Sequence, residues 1–404
     1  MKNGNHRRRK RWVNALLLAF ACLLVLLQAG GIFGREPLHN DFVEYWAAAR
    51  VLLVHGNPYS PPAILRAEAS TGFSGARPLL MWNPPWALPF VLPFGLVSYG
   101  AASAIWLLLN LSIVFVCADL LWRKYGGEIR RRWLGWLLAA SFFPLLTALG
   151  LGQIAPLILL GVTLFLRYQA SRPLLAGAAT LLIAVKPQLL YLFWLLLLLD
   201  GAQRRRWRLM AGATAALLAA SSLPVLLNPG LWRGFFDLAH SGEVLRNPSP
   251  NFGTLLRIQF GNSAWLQFLP LLFGVGWAVP FWWRRRQSWN WRKQIPLLLL
   301  VSLVTTAYGW LFDQIVLLPA IMQVAVPLTR RSGRLRLQAL AVYLGASLLM
   351  VLFVARRETG TAYTWTAPAW LLIYLWLRRS TIAQDGLPQT DSEIAPRPQF
   401  HPLS

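Results

Sequence analysis

Residues 101–122 read AASAIWLLLNLSIVFVCADLLW, an uninterrupted apolar run whose one charge, Asp119, stands near its end. About 20 such residues in a helix cross the hydrocarbon core of a bilayer. The rest of the chain repeats the pattern. Of its 404 residues 56% are hydrophobic and 13% are charged, where a soluble chain carries about 25% charged residues. Further apolar runs lie near 12–33, 133–149, 152–167, 173–186, 187–199, 207–227, 264–283, 295–311, 313–328, 336–355 and 363–377. The sequence therefore predicts an all-α polytopic membrane protein with about 10–13 transmembrane helices. The proline-rich piece 84–97 is too short to span and reads as interfacial or re-entrant. No internal repeat is evident.

The formal net charge of +25 would suggest nucleic acid in a soluble protein. Here the basic residues stand in short clusters between apolar runs, as orientation signals do, so a nucleic-acid partner is excluded and the bilayer is the expected partner. With the N-terminus inside and the sides alternating, about three quarters of the 39 Lys and Arg residues fall in inside segments. The expected layout is a basic cytoplasmic N-terminus over 1–11, a transmembrane domain over 12–379 and a disordered cytoplasmic tail over 380–404. Both termini are then cytoplasmic in a multi-pass protein of the cell membrane. Two long loops, about 34–100 and 228–263, lie outside. The apolar region after the basic N-terminus is too long for a signal peptide and reads as an uncleaved first span. The two cysteines, Cys22 and Cys117, both lie inside apolar runs without metal-ligand spacing.

The distinctive polar residues fall on the outer side. HNDFVEYWAAARVLLVHGNPY (39–59) fits a helix over about 42–55, with Asp41 as N-cap, Glu44 at N3 and Gly56 at C′. Three-to-four spacing turns Phe42, Tyr45, Trp46, Ala49, Leu52 and Leu53 to one side, as in an amphipathic helix lying in the membrane interface. The same helix N-terminus favours anionic groups and ligands. Lys186, in VKPQ, is the one lysine of five placed outside. It is either a snorkelling side chain at a helix end or a point charge for a phosphate at the bilayer surface. Gln153, in GLGQ, either caps a tight turn or binds a sugar hydroxyl. Asn251, in NPSPN, is either a turn residue or a sugar ligand, and Asp313, in YGWLFDQ, is either an N-cap or a member of the site. Arg246 and Arg257 read as rim charges or as phosphate ligands. Trp82, Trp86 and Trp310 read as interface-belt aromatics or as stacking platforms.

In order along the chain, NDFVEYWAAARVLLVHGNPY, NPPW, GLGQIAPLILL, AVKPQLL, SPNFGTLLR and YGWLFDQIVLLPA resemble glycosyltransferase family 87, the bacterial polyprenol-phosphate-mannose-dependent mannosyltransferases. The resemblance covers roughly residues 35–325. It implies a GT-C-like architecture, a polyprenyl-phosphate-linked sugar donor, a glycan or glycolipid acceptor outside the cytoplasm, and a catalytic acid in the first outer loop, which matches Asp41. Many GT-C enzymes carry a second acid beside the first; here Asn40 takes that place and Glu44 lies three residues on. No cofactor is expected, and a divalent metal is not indicated, although Asp41 and Glu44 are the carboxylates a hard cation would use. The expected reaction is inverting hexosyl transfer, most simply of mannose. Asp41 would be general base and Lys186 and Arg257 would bind the donor phosphate. Glu44, Tyr45, Gln153, Asn251 and Asp313 would contact sugar or acceptor. The competing readings are a lipid or glycan transporter or flippase and an outer-face glycan ligase. A transporter would mark its route with ionisable residues at the midplane and inverted repeats, neither of which the sequence shows.

Overall fold

The computed structural model describes residues 41–242, 248–330, 333–358 and 360–382, and among these the chain is helical without strands. In the first long loop α1 (Phe42–Leu53) and α2 (Pro61–Ala69) precede a short bracket, Pro85–Leu96, built of α3 (Leu88–Val91) between two 3-10 turns. There follow α4 (Tyr99–Lys124), α5 (Arg132–Ala140), α6 (Phe143–Gly150), α7 (Ala155–Tyr168), α8 (Pro173–Ile183), α9 (Tyr191–Gln203) and α10 (Trp207–Leu227). The second long loop carries α11 (Leu231–His240) and α12 (Phe252–Gln259). The chain continues through α13 (Leu269–Trp283), α14 (Trp291–Thr305), α15 (Leu318–Arg330), α16 (Arg334–Ala355) and α17 (Thr366–Ile382). The expected first span, the basic N-terminus and the tail beyond residue 382 lie outside the described residues.

Among the described residues five helical segments are long and apolar enough to cross a bilayer: α4, α10, Ala264–Trp283, Leu311–Arg330 and α16. A sixth is the pair Ile129–Ala140 and Phe143–Gly150 if the two count as one span bent by 65°. Pro144 explains the break, because its ring clashes with the carbonyl four residues back and its nitrogen donates no hydrogen bond. The class is as expected, and among the described residues several of the runs fall on helices shorter than 18 residues. The runs 152–167, 173–186, 187–199, 295–311 and 363–377 fall on α7, α8, α9, α14 and α17, of 14, 11, 13, 15 and 17 residues. At about 1.5 Å per residue, the shortest of these rises only about 17 Å, against a core of about 30 Å. The residues missing from α7, α8 and α9 form the turns at 151–154 and 184–190. Glycine lets α8 and α10 approach closely: a Cβ at Gly177 would stand 2.0 Å from Leu209 O, and one at Gly212 would stand 2.1 Å from Leu174 O. Small residues of this kind are how helices pack in lipid, where burial of apolar surface gives little drive.

Helix α1 differs from the interfacial helix that its spacing suggests. Its intended outer positions Val43, Ala47, Ala48 and Val51 are buried along with Phe42, Tyr45, Trp46, Ala49 and Leu52. A helix apolar on all sides is an interior helix. The cover is non-local: Arg50 Nη1 donates to Gly95 O at 3.1 Å, Trp46 Nε1 donates to Val97 O at 3.1 Å, and Phe42 stacks on Trp106 with ring centroids 5.3 Å apart. Its C-terminus closes as a Schellman motif one residue earlier than expected. His55, with φ 60°, holds the left-handed C′ position, His55 N–H donates to Leu52 O, and Gly56 N–H donates to Val51 O. The His55 ring secures this uncommon backbone by a 2.7 Å contact from Nδ1 to Leu227 O.

Candidate active site

Asp41 stands at the N-terminus of α1 with φ −59° and ψ −10°, and its side chain caps no helix N–H. The expected capping box is therefore absent. The carboxylate Oδ2 instead accepts a hydrogen bond from Gln153 Nε2, and Oδ1 receives none from the described residues. A helical conformation at Asp41 explains this, since an N-cap side chain needs an extended backbone to fold back on its own helix.

Gln153 is brought to Asp41 by the end of α6. Gly152, at φ 65°, takes the left-handed position that glycine occupies without strain, and Gly152 N–H donates to Leu149 O. Gln153 N–H then donates to Ala148 O at 2.8 Å, completing a second Schellman motif. Trp106 Nε1 donates to Gly152 O at 2.7 Å and pins the turn to α4. The Gln153 backbone thus closes the turn while its side chain points away from it. The amide has one consistent orientation: Nε2 faces the Asp41 carboxylate, and Oε1 accepts from Tyr45 Oη at 3.1 Å and Lys186 Nζ at 3.0 Å.

Lys186 sits in the turn between α8 and α9, where Pro187 keeps it extended at φ −133° and ψ 76°. The NPPW segment clamps that turn from outside, with Asn83 Nδ2 donating to Val185 O at 2.9 Å and Trp86 Nε1 to Ala184 O at 2.7 Å. Tyr59 Oη in turn donates to Asn83 O at 3.0 Å. Trp86 is thus a structural donor and not a belt residue facing lipid. The Lys186 ammonium, which is not solvated as a snorkelling lysine would be, pairs with Asp313 Oδ1 at 2.9 Å and lies 4.9 Å from the centre of the Phe312 ring. Asp313 is buried at the third position of the 3-10 turn Leu311–Leu317, and its other oxygen accepts from Trp310 N–H at 2.9 Å. Asp313 is thus the N3 residue of this turn and not the N-cap that its reading allowed: one oxygen serves the N-cap backbone and the other serves Lys186.

The electrostatics follow from burial. Desolvation pushes the Asp41 carboxyl above its ordinary value and the Asp313 charge adds to the rise, while the Gln153 hydrogen bond and the Lys186 charge oppose it. Glu44 is held well above its ordinary value, by burial first and the Asp41 charge second. Among the described residues no three His, Cys, Asp or Glu side chains gather as a metal cluster would require.

The structure keeps Asn251 in a different cluster. It caps α12, Oδ1 accepting from Thr254 N–H at 2.9 Å, and its Nδ2 donates to Ser249 Oγ at 2.6 Å. Arg257 Nε donates to Gln267 Oε1 at 3.1 Å, and Gln267 Nε2 reaches Asn251 Oδ1, Thr254 Oγ1 and Ala307 O. The bond to Ala307 ties this cluster to the segment leading into the Asp313 turn, and Thr306 Oγ1 adds a 2.9 Å bond to Gln188 O beside Lys186. Asn251 thus supports the site from behind through the backbone; its hydrogen bonds stay within its own cluster. Arg246 lies outside the described residues. Sequence reasoning missed Gln267, whose only signal was one amide near the start of the apolar run 264–283.

The model of glycosyltransferase family 87 matches residues 82–312, more than half of the chain. The chain belongs to glycosyltransferase family 87. It is accordingly a membrane glycosyltransferase, with a sugar donor and an acceptor as its substrates. The matched family 87 segment contains Gln153, Lys186, Asn251 and Arg257 and ends one residue before Asp313, while Asp41, Glu44 and Tyr45 precede it. No curated protein and no solved structure matches the chain.

Proposed function

We propose that this family 87 enzyme moves a hexose, mannose by the resemblance of its motifs, from a polyprenyl-phosphate donor to an extracytoplasmic acceptor hydroxyl with inversion. The observation that carries the reading is the linked set Asp41–Gln153–Lys186–Asp313, in which one carboxylate and one ammonium share a single bridging amide. The open Asp41 Oδ1 takes the proton of the acceptor hydroxyl. The acceptor oxygen bonds to the anomeric carbon from the face opposite the phosphate, the bond from that carbon to the phosphate oxygen breaks, and its electron pair leaves with the polyprenyl phosphate. A carboxyl raised above its ordinary value is, in its ionised form, a stronger base than a solvated aspartate.

Lys186 has three N–H donors, of which two are used by Gln153 and Asp313. The third is available to a phosphate oxygen, and Asp313 holds the ammonium in place before the donor arrives. Such a fixed cation stabilises charge as it develops on the leaving phosphate, without reorganisation at the moment of reaction. Tyr45 and Gln153 orient hydroxyl groups near Asp41.

The test is transfer by the purified full-length protein in liposomes, given polyprenyl-phosphate-mannose and a membrane glycolipid extract as acceptor source. The expected product carries mannose with its anomeric configuration opposite to the donor's, read by NMR. Retention would overturn the direct displacement, and transfer only from a nucleotide sugar would overturn the donor.

A further inference from the structure

A slender cavity of about 110 Å³ lies between α5, α14, α15, α16 and α17 and has no part in the chemistry above. Apolar side chains wall it, among them Leu317, Leu328, Leu340 and Leu377, and Arg336 is the one charged residue in the lining. Ile321, Ala325 and Ile373 line it too and are only half-buried, so the cavity is a groove open along one side. From Leu317, the last residue of the turn that carries Asp313, to Leu328 the wall rises about 16 Å. That is about half of a hydrocarbon core of about 30 Å, the depth of one leaflet. The spanning segment Leu311–Arg330 sets the direction: Asp313 stands near one end and Arg330 at the other. Arg330 Nη2 donates to Gly126 O, which brings the basic stretch 130–132 to that second end. Arg336, in the first turn of α16, lies there as well, away from Lys186 and Asp313.

We propose that this groove binds an anionic glycerophospholipid, with one acyl chain along α15 and the phosphate at Arg336, in the leaflet opposite the candidate active site. The proposal does not depend on the reaction. A narrow apolar groove one leaflet deep fits a single hydrocarbon chain and is too slender for a ring system. The mouth calls for an anion. The first turn of α16 carries Arg334 and Arg336 and no acid, although a helix N-terminus favours negative charge and disfavours positive. Arg131 stands close enough to Arg336 for the two charges to repel. The segments that build the groove, 128–140, 291–305, 318–340 and 366–382, contain a single acid, Glu128. It is already engaged with Arg131, Nε to Oε2 at 3.0 Å. A lipid phosphate supplies the missing charge, as in other basic pockets between transmembrane helices. The polyprenyl donor is a poor fit, because its phosphate is read at Lys186, at the other end of Leu311–Arg330.

The experiment is native mass spectrometry of the full-length protein, purified in detergent and titrated with phosphatidylglycerol or with phosphatidylcholine of the same acyl chains. The expected result is one phosphatidylglycerol retained at about fivefold lower concentration than phosphatidylcholine, the worth of one arginine near an anionic headgroup. Arg336→Gln removes the preference and Arg336→Lys keeps it. Ala325→Phe, which fills the groove, lowers retention of both lipids. Thermal unfolding in phosphatidylcholine nanodiscs verifies that each variant is folded. Nanodiscs of phosphatidylglycerol raise the unfolding temperature of the wild type and of Arg336→Lys more than that of the other two. Equal retention of the two lipids overturns the proposal, as does a preference that survives Arg336→Gln or Ala325→Phe in folded protein. Displacement of phosphatidylglycerol by polyprenyl phosphate overturns it as well, since the groove would then belong to the donor.

Discussion

Two polar clusters both hydrogen-bond to the segment 306–313, and they differ in what they leave unspent. The Asn251 cluster consists of amides and hydroxyls joined by one arginine, and Gln267 uses its Nε2 on three acceptors. The Asp41 cluster holds an acid, an ammonium and a second acid around one glutamine, with Asp41 Oδ1 open and one Lys186 N–H unused among the described residues. A satisfied network specifies a fold. A network with residual charge and open valences can meet a substrate. Burial alone therefore does not separate support from chemistry; the remaining hydrogen-bonding capacity does.

The sharpest way to break this comparison is Asp41→Asn. The amide can still accept from Gln153 Nε2, so folding should be nearly unaffected, while turnover should fall by about 10²–10⁴, the usual worth of a general base. Thermal unfolding and initial rates in the same liposomes measure both. Turnover close to wild type with intact protein would remove Asp41 from the chemistry.

Next in size is Lys186→Met. Loss of the cation should cost about 10²–10³ in kcat. It should also leave Asp313 buried and unpaired, destabilising the fold by about 3–5 kcal/mol. The double variant Lys186→Met with Asp313→Asn removes both charges and should recover most of the stability but none of the rate. Recovery of both would mean that the pair is structural only.

Gln267→Leu probes the other cluster. Stranding Ala307 O and the Thr254 and Asn251 side chains should lower stability by about 1–3 kcal/mol and change kcat by no more than about threefold, since none of these groups meets the substrate. A hundredfold loss of kcat in a folded variant would erase the distinction between the clusters.

The sequence was legible where local chemistry placed a residue at a helix end. Gly152 and Pro187 mark the turns that present Gln153 and Lys186, and those turns do meet Asp41 and Asp313 in one network. It was misleading where non-local cover decided the outcome. The spacing of α1 suggested one buried face, because nothing in 42–53 announces that Gly95, Val97 and Trp106 close over the others. The capping pattern at Asp41 was real as a pattern, but the competing donor lies 112 positions away. Hydropathy likewise does not fix where a helix ends, so the runs of α7, α8 and α9 take in the turn residues at 151–154 and 184–190. Asn251 and Gln153 were both expected in the site as polar turn residues, and the structure joins Gln153 to Asp41 while Asn251 bonds within the cluster around α12.

The smallest and most specific effect belongs to Asp313→Asn. The change keeps an oxygen for Trp310 N–H and removes a negative charge that raises the Asp41 carboxyl, while Lys186 continues to lower it. The pKa of Asp41 should therefore fall. An acid that must be ionised to act loses activity as pH falls through its pKa, so the acid limb of the kcat/KM profile should move to lower pH in Asp313→Asn. In Lys186→Met the opposing charge is gone, and the residual activity should show the limb moved to higher pH. Opposite displacements from two variants of one ion pair are what a base at Asp41 requires. Displacement of both limbs in the same direction would mean that the titrating group is not Asp41, and the burial-raised Glu44 would then be the carboxyl to substitute.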